Sequence, residues 1–178
     1  MDINYSVLLP EIFLALVGIA TLLIPLFIGK STGVRHETGV FIALPVCLVL
    51  MFTGDGFSKG EAFFGMVSGD PFTDFARFLF LASGIVIMAL SVPYLEREGL
   101  YNEEFFALLL FVIMSMNLIV SSRDLLLTFI GIEILSIASY IMAAYRLKSG
   151  VSVEAGLKYF ILGAFSSAFL LYGIALLY

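Results

Sequence analysis

A carboxylate in the middle of a membrane-length apolar run is the first chemistry this sequence offers. The run is "LLLTFIGIEILSIASYIMAAY", residues 125–145, with Glu133 near its centre. Nine residues separate Glu133 from Asp124 and thirteen separate it from Arg146, roughly 13 and 20 Å at about 1.5 Å per helical residue. A hydrocarbon core is about 30 Å thick, so Glu133 is expected near mid-depth. Placing a charge there costs at least about 2.5 kcal/mol. Loss of water disfavours the charged form of a carboxyl group, and an approaching cation favours it again. A group with that behaviour can hold a proton and give it up, which suits a proton relay or an ion site. The competing reading is a neutral Glu133 that only hydrogen-bonds a neighbouring helix.

Other polar residues share the membrane interior. Ser136 and Tyr140 follow Glu133 at i+3 and i+7, on or near its helical face, where hydroxyls can hold water beside the acid. Gly131 and Ser139 read instead as small residues that let helices pack closely. Asn117 lies thirteen residues from Glu104, roughly 20 Å deep. That depth matches Glu133, so the two can bond if their faces meet; simple interhelical packing explains an Asn equally well. Lys158 lies roughly 9 Å into the last span, about 11 Å in depth from Glu133 and too far for contact. Glu154 precedes it by four residues and can pair with it, and a lysine this shallow can also snorkel to the interface.

These residues need helices to hold them. The chain is 61% hydrophobic and 13% charged, with a mean hydropathy of +1.10. Soluble domains are about half apolar and about a quarter charged. The expected fold is all-α: one polytopic transmembrane bundle of about six helices, near residues 7–29, 38–54, 72–95, 104–122, 124–145 and 153–178. The runs are too long and continuous for alternating barrel strands. "GDPFTDFAR" reads as a helix start, with Asp70 as N-cap, Pro71 at the first position and Asp74 placed to pair with Arg77. Glu11 likewise reads as a helix-start residue facing the headgroups. "GDGFSKGEAFFGMVSGD" reads as a short surface hairpin or loop. Tyr5, Tyr94, Tyr101 and Tyr178 fall near span ends, as an interfacial belt predicts.

Composition also excludes functions. A net charge of −5 argues against a nucleic-acid partner. One cysteine, Cys47, and one histidine argue against an intramolecular disulfide and against an Fe–S, zinc or haem site in this chain. No nucleotide-binding fingerprint is visible. The first residues carry Asp2 and Glu11 in place of a basic n-region, so the first helix is expected to be an uncleaved anchor.

Two stretches, "SSRDLLLTFIGIEILSIASYIMAAYR" and "EAGLKYFILGAFSSAFLLYGIALLY", resemble the antiporter-like membrane subunits of proton-pumping NADH–quinone oxidoreductase, respiratory complex I. The second is the more specific, "DPFTDFAR" also fits, and the resemblance covers the whole chain. It implies a proton-translocating subunit of the inner (cytoplasmic) membrane with no cofactor and no redox chemistry of its own. Quinone, NADH, flavin and Fe–S clusters are expected elsewhere in the complex, and its other membrane subunits and the lipid bilayer are the expected partners. The resemblance makes Glu133 and Lys158 the proton-relay residues, with Asn117, Ser136 and Tyr140 accessory. It also implies that these helices are the leading, truncated part of a larger antiporter-like fold built from inverted repeats. The alternatives are a cation/proton antiporter subunit outside any redox complex, or a non-transporting structural fragment.

Loop charges orient the bundle. Lys30, Arg35, Arg97, Arg146 and Lys148 collect on one side, against Lys59, Arg123 and, if a span-end residue is counted, Arg77 on the other. The positive-inside rule places the richer side in the cytoplasm and the N-terminus outside. A cysteine introduced at Lys30 or Lys148 is then expected to resist an impermeant thiol reagent added from outside. Ready labelling at either position would reverse the orientation.

Overall fold

With no water in a bilayer core, each spanning segment must satisfy its own backbone hydrogen bonds, and helices do so. The computed structural model describes residues 5–28, 38–53 and 60–178. Among these, a single 3-10 turn, Tyr5–Leu8, leads into helix α1 (Leu9–Ile28), followed by α2 (Thr38–Thr53), strands β1 (Gly60–Ala62) and β2 (Val67–Gly69), and helices α3 (Pro71–Arg97), α4 (Glu103–Ser121), α5 (Leu125–Ala143) and α6 (Gly150–Leu177). α3, α4, α5 and α6 are each long and apolar enough to cross a membrane, and the described parts of α1 and α2 are shorter apolar helices. The chain is a multi-pass membrane protein. Lys30, Arg35 and Lys59, and the side chain of Tyr5, lie outside the described residues.

Helix starts follow local chemistry. Asp70 caps α3 by accepting from the Thr73 amide at 2.7 Å, with Pro71 first in the helix. That amide bond holds the Asp70 carboxyl below its ordinary range. Asp124 caps α5 in the same way, accepting from the Leu127 amide at 3.0 Å.

α4 is the spine. It packs on α1, α3 and α5, while α2 leans on α3 and α1, and α6 leans on α5. Accordingly 56% of α4's apolar span is buried, against 6% for α6. The main core joins Leu14, Leu44, Leu81, Met88, Phe106, Leu110 and Ile113 from the first four helices. Close approach is paid for with glycine: a side chain on Gly84 of α3 would overlap Ile113 of α4. The loops also pair across each end. Arg123 bonds Glu61 at 2.8 Å at the hairpin end, and Arg146 bonds Glu98 at 2.5 Å at the opposite end.

The expected hairpin forms as β1–β2, with Gly60 opposite Gly69, and it is tied into the bundle; the expectation for Glu11 needs correction. Ala62 and Val67 are buried against Val7, Val67 bridges to Ser122, and the Arg123 amide donates to the Met66 carbonyl at 2.8 Å. Its turn passes through Phe63, Phe64 and Gly65 at positive φ, and Phe64 projects outward. Glu11, in turn, does not face headgroups. It is 4% exposed and paired with Arg77, which is fully buried. Arg77 Nε and Nη2 donate to Glu11 Oε1 at 3.0 and 2.6 Å, and Nη2 also donates to the Val7 carbonyl at 3.0 Å. The arginine thus reaches across to α1, and Asp74 Oδ1 stays buried without a hydrogen-bond partner. A guanidinium one or two turns into a span finds more from a desolvated carboxylate on a neighbouring helix than from an acid on its own helix.

Removing one partner of a buried pair leaves the other charge uncompensated, at about 3–5 kcal/mol. Arg77→Leu is expected to lower the thermal midpoint of the full-length membrane protein sharply, and Glu11→Gln together with Arg77→Leu to recover part of the loss. Equal stability of wild type and Arg77→Leu would show that the pair holds nothing together.

Candidate functional site

Glu133 is the ninth residue of α5, in the middle of the helix. Its position is set by the contact of α5 with α4. A Cβ added to Gly131 would lie 2.6 Å from Ile119 Cγ1 and 3.4 Å from the Ser115 carbonyl oxygen, so the two backbones approach closely there. Glu133 sits two residues further along. Its side chain is half-buried, and Oε1 is buried without a hydrogen-bond partner. Ile134, beside it, packs into the main core.

Tyr140 is two turns further along α5 and turns towards α6. Its ring lies edge-on to Tyr159, centroids 4.7 Å apart, and to Phe160 at 5.9 Å. Its hydroxyl fills the notch left by Gly163, where any side chain would overlap it. A second glycine contact, Gly156 against Ala144, closes the other end of this interface; a Cβ there would lie 2.5 Å from Ala144 Cβ. Ser136 is half-buried, and Ser139 donates back to the Leu135 carbonyl at 2.7 Å.

Lys158 pairs with Glu154 at 2.5 Å, both side chains exposed. It lies on α6 between Gly156 and Gly163, hence level with α5 between Ala144 and Tyr140. Glu133 is seven residues beyond Tyr140, so at least roughly 10 Å separates it in depth from Lys158. Tyr140 occupies the interval.

Asn117 is fully buried, with neither side-chain atom hydrogen-bonded. Depth matched it to Glu133, but rotation parts them, and no hydrogen bond joins the two. Ser115 and Ile119 face Gly131 of α5. Asn117, nearly half a turn away, shares its face with Ile113, which meets Gly84 of α3. The Glu11–Arg77 pair was the main omission of the sequence reading. Its signal was present: an Arg seven residues into one span and a Glu three residues into another are both too costly to leave unpaired.

These features define a polytopic helical membrane protein with an ionisable group held at mid-span. Residues 122–178, which contain α5 and α6, match the family model described as the membrane region of NADH:quinone oxidoreductase and Mrp antiporters. NADH-quinone oxidoreductase subunit N of Paramagnetospirillum magneticum is 39% identical over 96% of the chain and 35% of its own length. Subunit N of Magnetococcus marinus is 38% identical over 99% of the chain and 37% of its own length. A solved structure of respiratory complex I from Thermus thermophilus with bound aureothin superposes with a TM-score of 0.71 at 30% identity, over 96% of the chain and 36% of the matched one. Over nearly its whole length the chain is similar to subunit N of NADH–quinone oxidoreductase, and its last two helices to the antiporter-like membrane region. It spans about a third of the length of the curated relatives it matches.

The Gly131 contact is the simplest handle on this geometry. Overfilling a tight helix contact costs about 1–3 kcal/mol. Gly131→Leu is expected to push α5 from α4, lowering both the thermal midpoint and the yield of folded protein, with Gly131→Ala milder. A Gly131→Leu protein as stable as wild type would refute this packing.

Proposed function

We propose that this chain is part of a proton-translocating subunit of an NADH–quinone oxidoreductase, moving protons in response to quinone reduction elsewhere in the complex. The observation that carries the reading is Glu133: a half-buried carboxyl at mid-span with one oxygen buried and unpartnered. A group so placed can take up a proton, and a nearby positive charge favours its release. Lys158 serves as a second relay group nearer the membrane surface, and Ser136 and Tyr140 support the path between them. Tyr140 stands at the intermediate depth, with a hydroxyl able to both donate and accept.

The complex's other membrane subunits are the proposed partners, and its NADH, flavin, Fe–S and quinone chemistry resides outside this chain. The proposed setting is the inner membrane, N-terminus outside. The matching family model also covers Mrp antiporters, so a cation/proton antiporter is the second reading. Relatives matching nearly the whole chain carry the subunit N name, which favours the first.

Glu133→Gln keeps size and hydrogen bonding but cannot ionise. In the full-length protein within its complex, it is expected to leave assembly intact while strongly reducing quinone-linked proton pumping. Glu133→Asp is expected to retain part of the activity, and Lys158→Ala to cost less than Glu133→Gln. Normal pumping by an assembled Glu133→Gln complex would leave Glu133 a packing residue.

A further inference from the structure

A second polar locus lies away from Glu133, among α1, α3 and α4 at the hairpin end. Both hydrogen bonds from Arg77 to Glu11 use Oε1. Oε2 of Glu11 is buried without a partner, as are Nδ2 and Oδ1 of Asn117 and Oδ1 of Asp74. Glu11 is 4% exposed and Asn117 0%.

Helix register brings Glu11 and Asn117 to one level. The Thr73 hydroxyl donates to the Val120 carbonyl at 3.4 Å, and Gly84 meets Ile113. Arg77 lies between the first two contact points on α3, at i+4 from Thr73 and i−7 from Gly84. Asn117 lies between the other two on α4, at i+4 from Ile113 and i−3 from Val120. Each shares the contact face of its helix. Glu11 is joined to Arg77 directly. Helix register therefore puts the Glu11 carboxylate and the Asn117 amide at one level, where α1, α3 and α4 meet.

Two buried acceptors, Glu11 Oε2 and Asn117 Oδ1, with one amide donor, Asn117 Nδ2, are the setting in which buried water is retained. Such a water typically makes about three hydrogen bonds to groups otherwise unsatisfied. We propose that this junction is a water-binding site, in which ordered water donates to Glu11 Oε2 and accepts from Asn117 Nδ2. The hairpin closes it. Val7, whose carbonyl bonds Arg77, is itself buried against Ala62 and Val67. The site is independent of the relay reading of Glu133, since Asn117 faces away from α5.

The test uses the full-length membrane-embedded protein. Asn117→Leu is close in volume and removes both amide atoms. If water bridges Asn117 to Glu11, this variant loses several degrees of thermal midpoint, because the carboxylate oxygen is left with fewer partners. If the junction is dry, removing two unsatisfied polar atoms leaves the midpoint unchanged or raises it, and the proposal fails. A wild-type experimental map fine enough to show ordered water decides independently, including where the variant does not fold. Density for a water within hydrogen-bond distance of both Glu11 Oε2 and Asn117 supports the proposal. A direct Asn117–Glu11 hydrogen bond, or no water density, overturns it.

Discussion

The close contact of Gly131 with Ser115 and Ile119 sets the depth and rotation of α5, and through them the place of Glu133. In lipid, helices gain little by hiding apolar surface from one another, because the tails are equally apolar; close packing at small residues does the work instead. The bundle follows that rule. Gly18 meets the Phe111 ring, Gly84 meets Ile113, and Gly131 meets Ile119, so α1, α3 and α5 each touch α4 through a glycine. α6 repeats the device one layer out, with Gly156 and Gly163 against α5. Only Gly156 and Ile174 of α6 are buried, so its register rests on those contacts and on the Tyr140 aromatic cluster.

The buried Glu11 and the half-buried Glu133 are held differently. Glu11 receives a guanidinium at hydrogen-bond distance, and the ion pair ties α3 to α1 beneath the hairpin. The pair is net neutral, and both charges are desolvated together, so neither is free to respond to distant events. Glu133, like Glu11, has one buried oxygen without a hydrogen-bond partner, but it forms no ion pair among the described residues. An acid whose charge is not already compensated responds most strongly to an approaching cation.

Much of this was legible in the sequence. Charge-free runs of membrane length mark helices because the bilayer leaves the backbone few other choices. Asp70 with Pro71 signals a helix start because the chemistry is local. Glu133 stands out because a charge in such a run is costly. What failed was lateral. Arg77 and Glu11 are separated by 66 positions, and the nearer Asp74 offered a local answer. Asn117 was matched in depth to Glu133, with helix packing the equal alternative, and no hydrogen bond joins the two side chains. α4 is apolar nearly all round, so its periodicity carries little about which face meets which helix. Rotation became visible only through Ile113, Ser115 and Ile119 and the glycines they meet.

Depth and rotation together keep Glu133 and Lys158 apart. The register of α5 against α6 keeps them at least roughly 10 Å apart in depth, and Lys158 already pairs with Glu154. No rotamer change spans that gap. Tyr140 lies in it, its ring clamped edge-on by Tyr159 and Phe160 and its hydroxyl seated over Gly163. The clamp fixes the ring while leaving a group that can donate and accept at once. The glycine notch that docks α6 on α5 therefore also determines where the Tyr140 hydroxyl stands between the two charged residues.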